Sequence, residues 1–136
     1  MSDPIREILE RYKTLAVVGL SSRPSRPSYG VSAYMMANGY RIIPVNPNEE
    51  SVLGLKCYHN LDEVPETPDI VVIFRRSEFV AEVVDAALHK GAKVIWMQEG
   101  VIHEDAAQRA RNAGVQVFMD RCILKEHAKR FVAERI

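Results

Sequence analysis

Apolar residues along this chain fall into short unbroken runs, separated by stretches with helical spacing. Ile5, Ile8, Leu9 and Tyr12 recur every three or four positions, with Asp3 placed to cap the helix and Pro4 suited to its first turn. Leu15-Ala16-Val17-Val18-Gly19 follows, the kind of continuous run expected of a strand buried on both faces. A loop rich in Ser, Arg and Pro runs to Pro27. A helix then starts near Ser28, carries Val31, Tyr34, Met35 and Met36, and stops at Asn38-Gly39. Tyr40-Arg41-Ile42-Ile43-Pro44-Val45 reads as the second strand, ended by the turn signal Asn46-Pro47-Asn48. Residues 49–68 are less regular, with a short extended piece at 54–58 and a helical turn at 61–64. Asp69-Ile70-Val71-Val72-Ile73-Phe74 is the third strand. Ser77 is placed as the N-cap of a helix bearing Phe79, Val80, Val83, Val84, Ala87 and Leu88, which stops at Lys90-Gly91. Lys93-Val94-Ile95-Trp96-Met97 is the fourth strand, closed by Gln98-Glu99-Gly100. Residues 104–113 are helical and end at Gly114. Val115-Gln116-Val117-Phe118-Met119 is the fifth strand, and residues 122–136 form a last helix of weaker pattern.

Strands alternating with helices, each crossover long enough for a βαβ unit, predict a parallel sheet. Right-handed crossovers make it an α/β doubly wound, mostly parallel sheet of about five strands with helices on both faces. Ligands in such sheets bind beyond the carboxyl ends of the strands, where the strand order reverses. Attention therefore falls on the loops after Val18, Val45, Phe74 and Met97. A length of 136 residues fits one domain spanning residues 1–136.

Composition narrows the partners. Lys+Arg and Asp+Glu both number 18, so no global field draws the chain to nucleic acid or an anionic membrane. No apolar run approaches the ~20 residues of a membrane span. The charged, amphipathic N-terminus is no signal peptide, and two scattered cysteines suit a reducing cytoplasm.

The loop after the first strand, Gly19-Leu20-Ser21-Ser22, combines a glycine that admits close backbone approach with hydroxyls and a helix N-terminus. Arg23 and Arg26 add positive charge. The pattern is neither G-x-G-x-x-G nor a Walker A loop, yet its place at the first βα turn fits a phosphate-bearing ligand. The second strand ends at Asn46-Pro47 with no acid to hold a ribose diol, which disfavours NAD. Phe74-Arg75-Arg76 follows the third strand, where one arginine can pair with a phosphomonoester and Phe74 or Ile73 can pack on a purine. Glu99 is the one carboxylate directly after a strand end in these loops, with no partner for acid–base work visible from spacing. Cys57 and Cys122 read as buried structural cysteines. The four histidines match no metal-site spacing.

Taken in order, Val17-Val18-Gly19-Leu20-Ser21-Ser22, residues 24–30, residues 40–47, Val72-Ile73-Phe74-Arg75-Arg76, Trp96-Met97-Gln98-Glu99-Gly100 and Asp120-Arg121-Cys122 resemble the stand-alone CoA-binding domain proteins. The resemblance spans nearly the whole chain. That family is Rossmann-like and similar to the N-terminal CoA-binding domain of the succinyl-CoA synthetase alpha subunit. It implies that coenzyme A is the ligand, its phosphates on Gly19, Leu20, Ser21 and Ser22 with Arg26 nearby. It implies that Asn46 and Pro47 flank the nucleotide and that Ile73, Phe74 and Arg75 line the adenine side. Coenzyme A carries about four negative charges, about two of them on its 3′-phosphate, which suits a site with arginines and no ribose-reading acid. The synthetase's lysine after the second strand has no counterpart in Asn48-Glu49-Glu50. None of the four histidines matches its phosphorylated histidine, so ligase activity does not transfer. The expected function is a small cytoplasmic protein that binds CoA or acyl-CoA and carries no evident catalytic constellation. The alternatives are an enzyme acting on a CoA thioester or CoA disulfide through Cys57 or Cys122, and an NADP-binding regulatory module.

Overall fold

The computed structural model describes residues 2–133. Residues 134–136, the end of the expected terminal helix, lie outside the described residues. Helix α1 (Pro4–Arg11) is capped by Asp3, whose carboxylate accepts the Arg6 N–H at 3.2 Å. Strand β1 (Thr14–Val18), helix α2 (Pro27–Ala37) and strand β2 (Arg41–Val45) follow. A two-residue hairpin pair, β3 (Ser51–Val52) and β4 (Leu55–Lys56), and a single helical turn at Leu61–Glu63 fill the irregular segment. Then come β5 (Ile70–Ile73), α3 (Val80–Lys90), β6 (Val94–Met97), α4 (Glu104–Asn112), β7 (Gln116–Phe118) and α5 (Ile123–His127).

The main sheet has the order β2-β1-β5-β6-β7, and every pairing in it is parallel. The order reverses between β1 and β5, which places the switch point there. The fold is thus α/β and Rossmann-like, as the alternation of elements predicts.

Side chains on successive strand residues point to opposite faces, and the core divides accordingly. Ala16, Val18, Val71, Ile73, Ile95 and Met97 pack with α3 and α4. Leu15, Val17, Ile70, Val72, Val94 and Trp96 pack with α1, α2 and α5. Every residue of β5 and β6 is buried, the signature of strands covered on both faces. The β2 edge is covered in part, because Tyr58 forms a parallel bridge to Val45 and so hides backbone groups that would template aggregation.

One local expectation is corrected. Ser77 does not cap α3. A tight turn at Ser77–Phe79 precedes the helix, and the Ser77 hydroxyl accepts the Ile102 N–H at 3.0 Å. The competing donor comes from the loop after β6, which local spacing cannot reveal. His103 instead caps α4, its Nδ1 accepting the Ala106 N–H at 3.1 Å.

The ends of the chain are clasped together. Arg130 pairs with Asp3 at 2.9 Å and with Glu126 at 2.7 Å, and Arg6 donates to the Arg130 carbonyl at 3.0 Å. Burial pushes the Glu126 carboxyl up, but the Arg130 hydrogen bond and the Lys129 and Arg121 charges outweigh it and hold the group below its ordinary value.

Candidate functional site

The carboxyl ends of β1, β5 and β6 open into a cleft of about 800 Å³. Gly19, Ser21, Ser22, Arg26, Asn46 and Phe74 all line it, so the structure brings six of the expected residues together. A smaller hollow of about 290 Å³ lies beside it, lined by Pro47, Arg75, His59, Leu61 and Val83. Gly19 borders both spaces.

Leu20 and Ile73 behave differently from the rest. Both are fully buried, so neither side chain faces a ligand. Leu20 belongs to the layer under α1 and α2, and Ile73 to the layer under α3. Leu20 shapes the site through its carbonyl, which accepts the Asn46 side-chain amide at 3.0 Å. That bond ties the turn after β2 to the loop after β1.

Gly19 has φ +89°, and its N–H donates to the Val45 carbonyl at 2.8 Å. A Cβ at this position would run into the Phe74 carbonyl. Only glycine lets the loop after β1 pass that close to the end of β5.

Beyond Gly19 the loop is held by hydroxyls. The Ser21 N–H donates at 3.0 Å to the hydroxyl of Ser28, a buried residue in the first turn of α2. Arg26 precedes Pro27 at the start of α2 without making a side-chain cap. The positive end of this eleven-residue helix therefore faces the cleft beside an exposed guanidinium.

The Ser22 N–H is already occupied by an anion. The Glu49 carboxylate accepts it at 2.7 Å, reaching back from beyond the β2 turn. That backbone bond, the Ser22 hydroxyl and the Arg23 charge hold the Glu49 carboxyl below its ordinary value. Sequence reading places Glu49 just beyond the turn that ends the second strand. The sequence marks the turn, in which Asn46 accepts the Asn48 N–H at 2.9 Å, but not that the turn brings Glu49 back onto the Ser22 N–H.

The two arginines after β5 separate. Arg75 is half-buried and lies over the Phe79 ring at 4.9 Å, facing the smaller hollow. Arg76 is exposed beside Glu78. At the other end of the large cleft, Gln98, Glu99, Val101 and Cys122 form the wall. Glu99 pairs there with Lys125 at 3.1 Å. The two cysteines part company as well: Cys122 reaches the cleft, whereas the Cys57 thiol lies against the Asn46 and Tyr58 carbonyls at 3.6 and 3.7 Å. Burial, chiefly, pushes the Cys57 thiol up. Among the described residues, no group of three His, Cys, Asp or Glu side chains is placed to hold a metal ion, and no helix is long and apolar enough to cross a membrane.

Fold and cleft together define a Rossmann-like α/β domain whose opening lies at the strand-order switch. Residues 13–128 match the CoA binding domain family, and the chain belongs to it. It is 47% identical over 124 residues to the uncharacterized protein YneT of Bacillus subtilis, covering 91% of this chain and 92% of that one. It is 34% identical over 83 residues to acetate–CoA ligase [ADP-forming] II of Archaeoglobus fulgidus, covering 60% of this chain and 12% of the ligase. This chain therefore corresponds to a small part of that ligase. Among solved structures, a hypothetical protein from Pyrococcus horikoshii superposes with TM-score 0.90 at 40% identity, over 93% of this chain and 89% of that one.

Proposed function

We propose that this protein binds coenzyme A or an acyl-CoA in the cytoplasm and buffers, senses or delivers it. Family membership supports the ligand class. The observation that carries the reading is the anion already seated at the loop after β1, where Ser22 holds the Glu49 carboxylate. A backbone N–H beside a serine hydroxyl, two arginines and a helix N-terminus suits a phosphate better than it suits a carboxylate.

In this reading the pyrophosphate meets Gly19, Ser21 and Ser22, with Arg26 at its flank. The adenosine lies toward the smaller hollow, between Pro47 and Arg75, and the Arg75 guanidinium pairs with the 3′-phosphate. Leu20 and Ile73 act from beneath, Leu20 by holding Asn46 and Ile73 by seating β5. Asn46 sets the distance between the two loops. No acid stands directly at the end of β2 to read a ribose diol, and Glu49, which reaches the cleft from beyond the turn, is engaged by the Ser22 N–H, which keeps NAD disfavoured. The arginines alone do not separate CoA from NADP, so competition between the two ligands is part of the test.

The experiment is binding to an Arg26→Ala, Arg75→Ala double variant. Arg26 is exposed and Arg75 half-buried, and neither belongs to the core layers, so the fold should persist, as circular dichroism would check. CoA affinity should fall by about 100-fold, from the loss of two charge-assisted contacts. A folded double variant that binds CoA as the wild type does would remove both arginines from the site.

A further inference from the structure

Two motifs remain unused by the phosphate end of the cleft: residues 96–100 at the end of β6 and residues 120–122 after β7. The structure locks them together. The Trp96 indole N–H donates to the Arg121 carbonyl at 2.9 Å, and the Arg121 N–H to the Met97 carbonyl at 3.3 Å. The Gly100 N–H donates to the Asp120 carboxylate at 2.8 Å. Asp120 itself sits in the left-handed region at φ +59°, a conformation costly for a residue with a side chain.

The fourth brace is the most informative. The Ile123 N–H donates to Gln98 Oε1 at 2.8 Å. A backbone N–H can only donate, so the Gln98 amide is oriented, with its oxygen on Ile123 and its NH₂ turned away. Gln98 is only 4% exposed and lines the cleft. Its Nε2 has no partner among the described residues, yet it is not among their sealed, partnerless atoms. Two amide hydrogens are therefore left without an acceptor on a side chain that lines the cleft. Cys122, joined by one peptide bond to the Ile123 N–H that holds this amide, lines the same wall.

We propose that Gln98 and Cys122 form an acyl-transfer subsite at the end of the cleft remote from the phosphate loop, and that Cys122 accepts the acyl group of a bound acyl-CoA. The inference rests on the CoA-binding reading above and names the substrate as a thioester. The Gln98 amide selects a carbonyl. A disulfide offers no comparable acceptor, which sets an acyl thioester above a CoA disulfide as the partner. The Cys122 sulfur attacks the thioester carbonyl while Gln98 Nε2 donates to the oxygen that gains negative charge. A new bond forms between Cys122 sulfur and the acyl carbon, and the bond from that carbon to the CoA sulfur breaks. The thiol proton of Cys122 ends on the CoA sulfur. No oxidant or reductant is involved. Cys57, held against two carbonyls on the far side of the β2 turn, takes no part.

The test is incubation with acetyl-CoA, read by intact mass and peptide mapping, beside calorimetric CoA binding on the same samples. Wild type should gain one acetyl group, on the peptide bearing Cys122, and hydroxylamine should remove it. Cys122→Ser should gain no hydroxylamine-labile acetyl. Gln98→Glu keeps an oxygen for the Ile123 N–H but loses the amide donor, and it should slow transfer at saturating acetyl-CoA by about 100-fold. Acetyl-N-acetylcysteamine, the same thioester without the nucleotide, should react more than about tenfold more slowly than acetyl-CoA. Saturable CoA binding with no acetyl on Cys122, with acetyl shared equally by Cys57, or with no preference for acetyl-CoA over the short thioester overturns the subsite and leaves the binding reading intact. No CoA binding by the folded protein overturns the binding reading, and the subsite with it.

Discussion

The two ends of the cleft are built on different principles. The end at β1 and β2 is charged and rich in donors: a glycine, serine hydroxyls, exposed Arg26, and a carboxylate occupying one backbone N–H. The end at β6 and β7 is tightly braced and its charges are paired. Glu99 pairs with Lys125 and Arg121 with Glu126, and four hydrogen bonds hold residues 96–100 to residues 120–123. A phosphate is bound by charge and backbone donors, which tolerate small displacements. A carbonyl beside a thiol needs a fixed donor, because a misplacement of about 1 Å costs about 100-fold in rate. The contrast fits one elongated ligand with a polyanionic end and a neutral reactive end.

Substitutions test each end in turn. Gly19→Ala should have the largest effect. Its Cβ meets the Phe74 carbonyl in a backbone conformation that disfavours any side chain, for about 4 kcal/mol of lost stability. Chemical denaturation measures this, and an unchanged midpoint would mean that the loop relaxes freely. CoA binding should disappear even where the variant still folds.

The clasp at the chain ends lies outside the cleft and is the control for acid effects. Arg130→Met leaves the buried Glu126 without its best partner and should cost about 3 kcal/mol at neutral pH. The folded-state value of Glu126 is depressed, so its contribution is present above the unfolded carboxylate value. That contribution is lost as pH falls through the lower folded value. Wild type should therefore lose stability on acidification below about pH 4 more steeply than Arg130→Met does. Parallel acid limbs in urea titrations would contradict this assignment.

Asp120→Ala should cost about 2 kcal/mol, since it removes the Gly100 contact while retaining the left-handed backbone. It should slow acyl transfer to Cys122 and leave CoA affinity nearly unchanged, which would separate the two ends experimentally. Equal losses at both ends would show them to be one cooperative unit.

Glu49→Gln should have the smallest effect and the opposite sign. The Glu49 carboxylate competes with an incoming phosphate for the Ser22 N–H, so a neutral amide should tighten CoA binding by about fivefold. Weaker binding would mean that Glu49 organises the loop and does not compete for it.

These differences also explain what could be read from the chain before its structure. The five sheet strands are legible because their burial on both faces writes itself as unbroken apolar runs. The part of the cleft at the loop after β1 is legible because glycine, serine and arginine lie within a few residues at a strand–helix junction. Leu20 and Ile73 sit in that stretch as well, but side-chain alternation turns them into opposite core layers, and a motif does not record which neighbours point inward. Glu49 is missed because it acts across a turn. The bond from the Ile123 N–H to Gln98, which sets Gln98 and Cys122 in one wall of the cleft, is missed because it exists only once β6 and β7 lie side by side. Ser77 fails as a cap for the same kind of reason, since its partner, Ile102, comes from another loop.

The most direct test of the central claim is calorimetric titration of ligand-stripped protein with CoA, 3′-dephospho-CoA and NADP in parallel. The account predicts saturable CoA binding, weaker binding once the 3′-phosphate is removed, and little or no displacement of CoA by NADP. A folded sample that ignores CoA, or that prefers NADP, would contradict it.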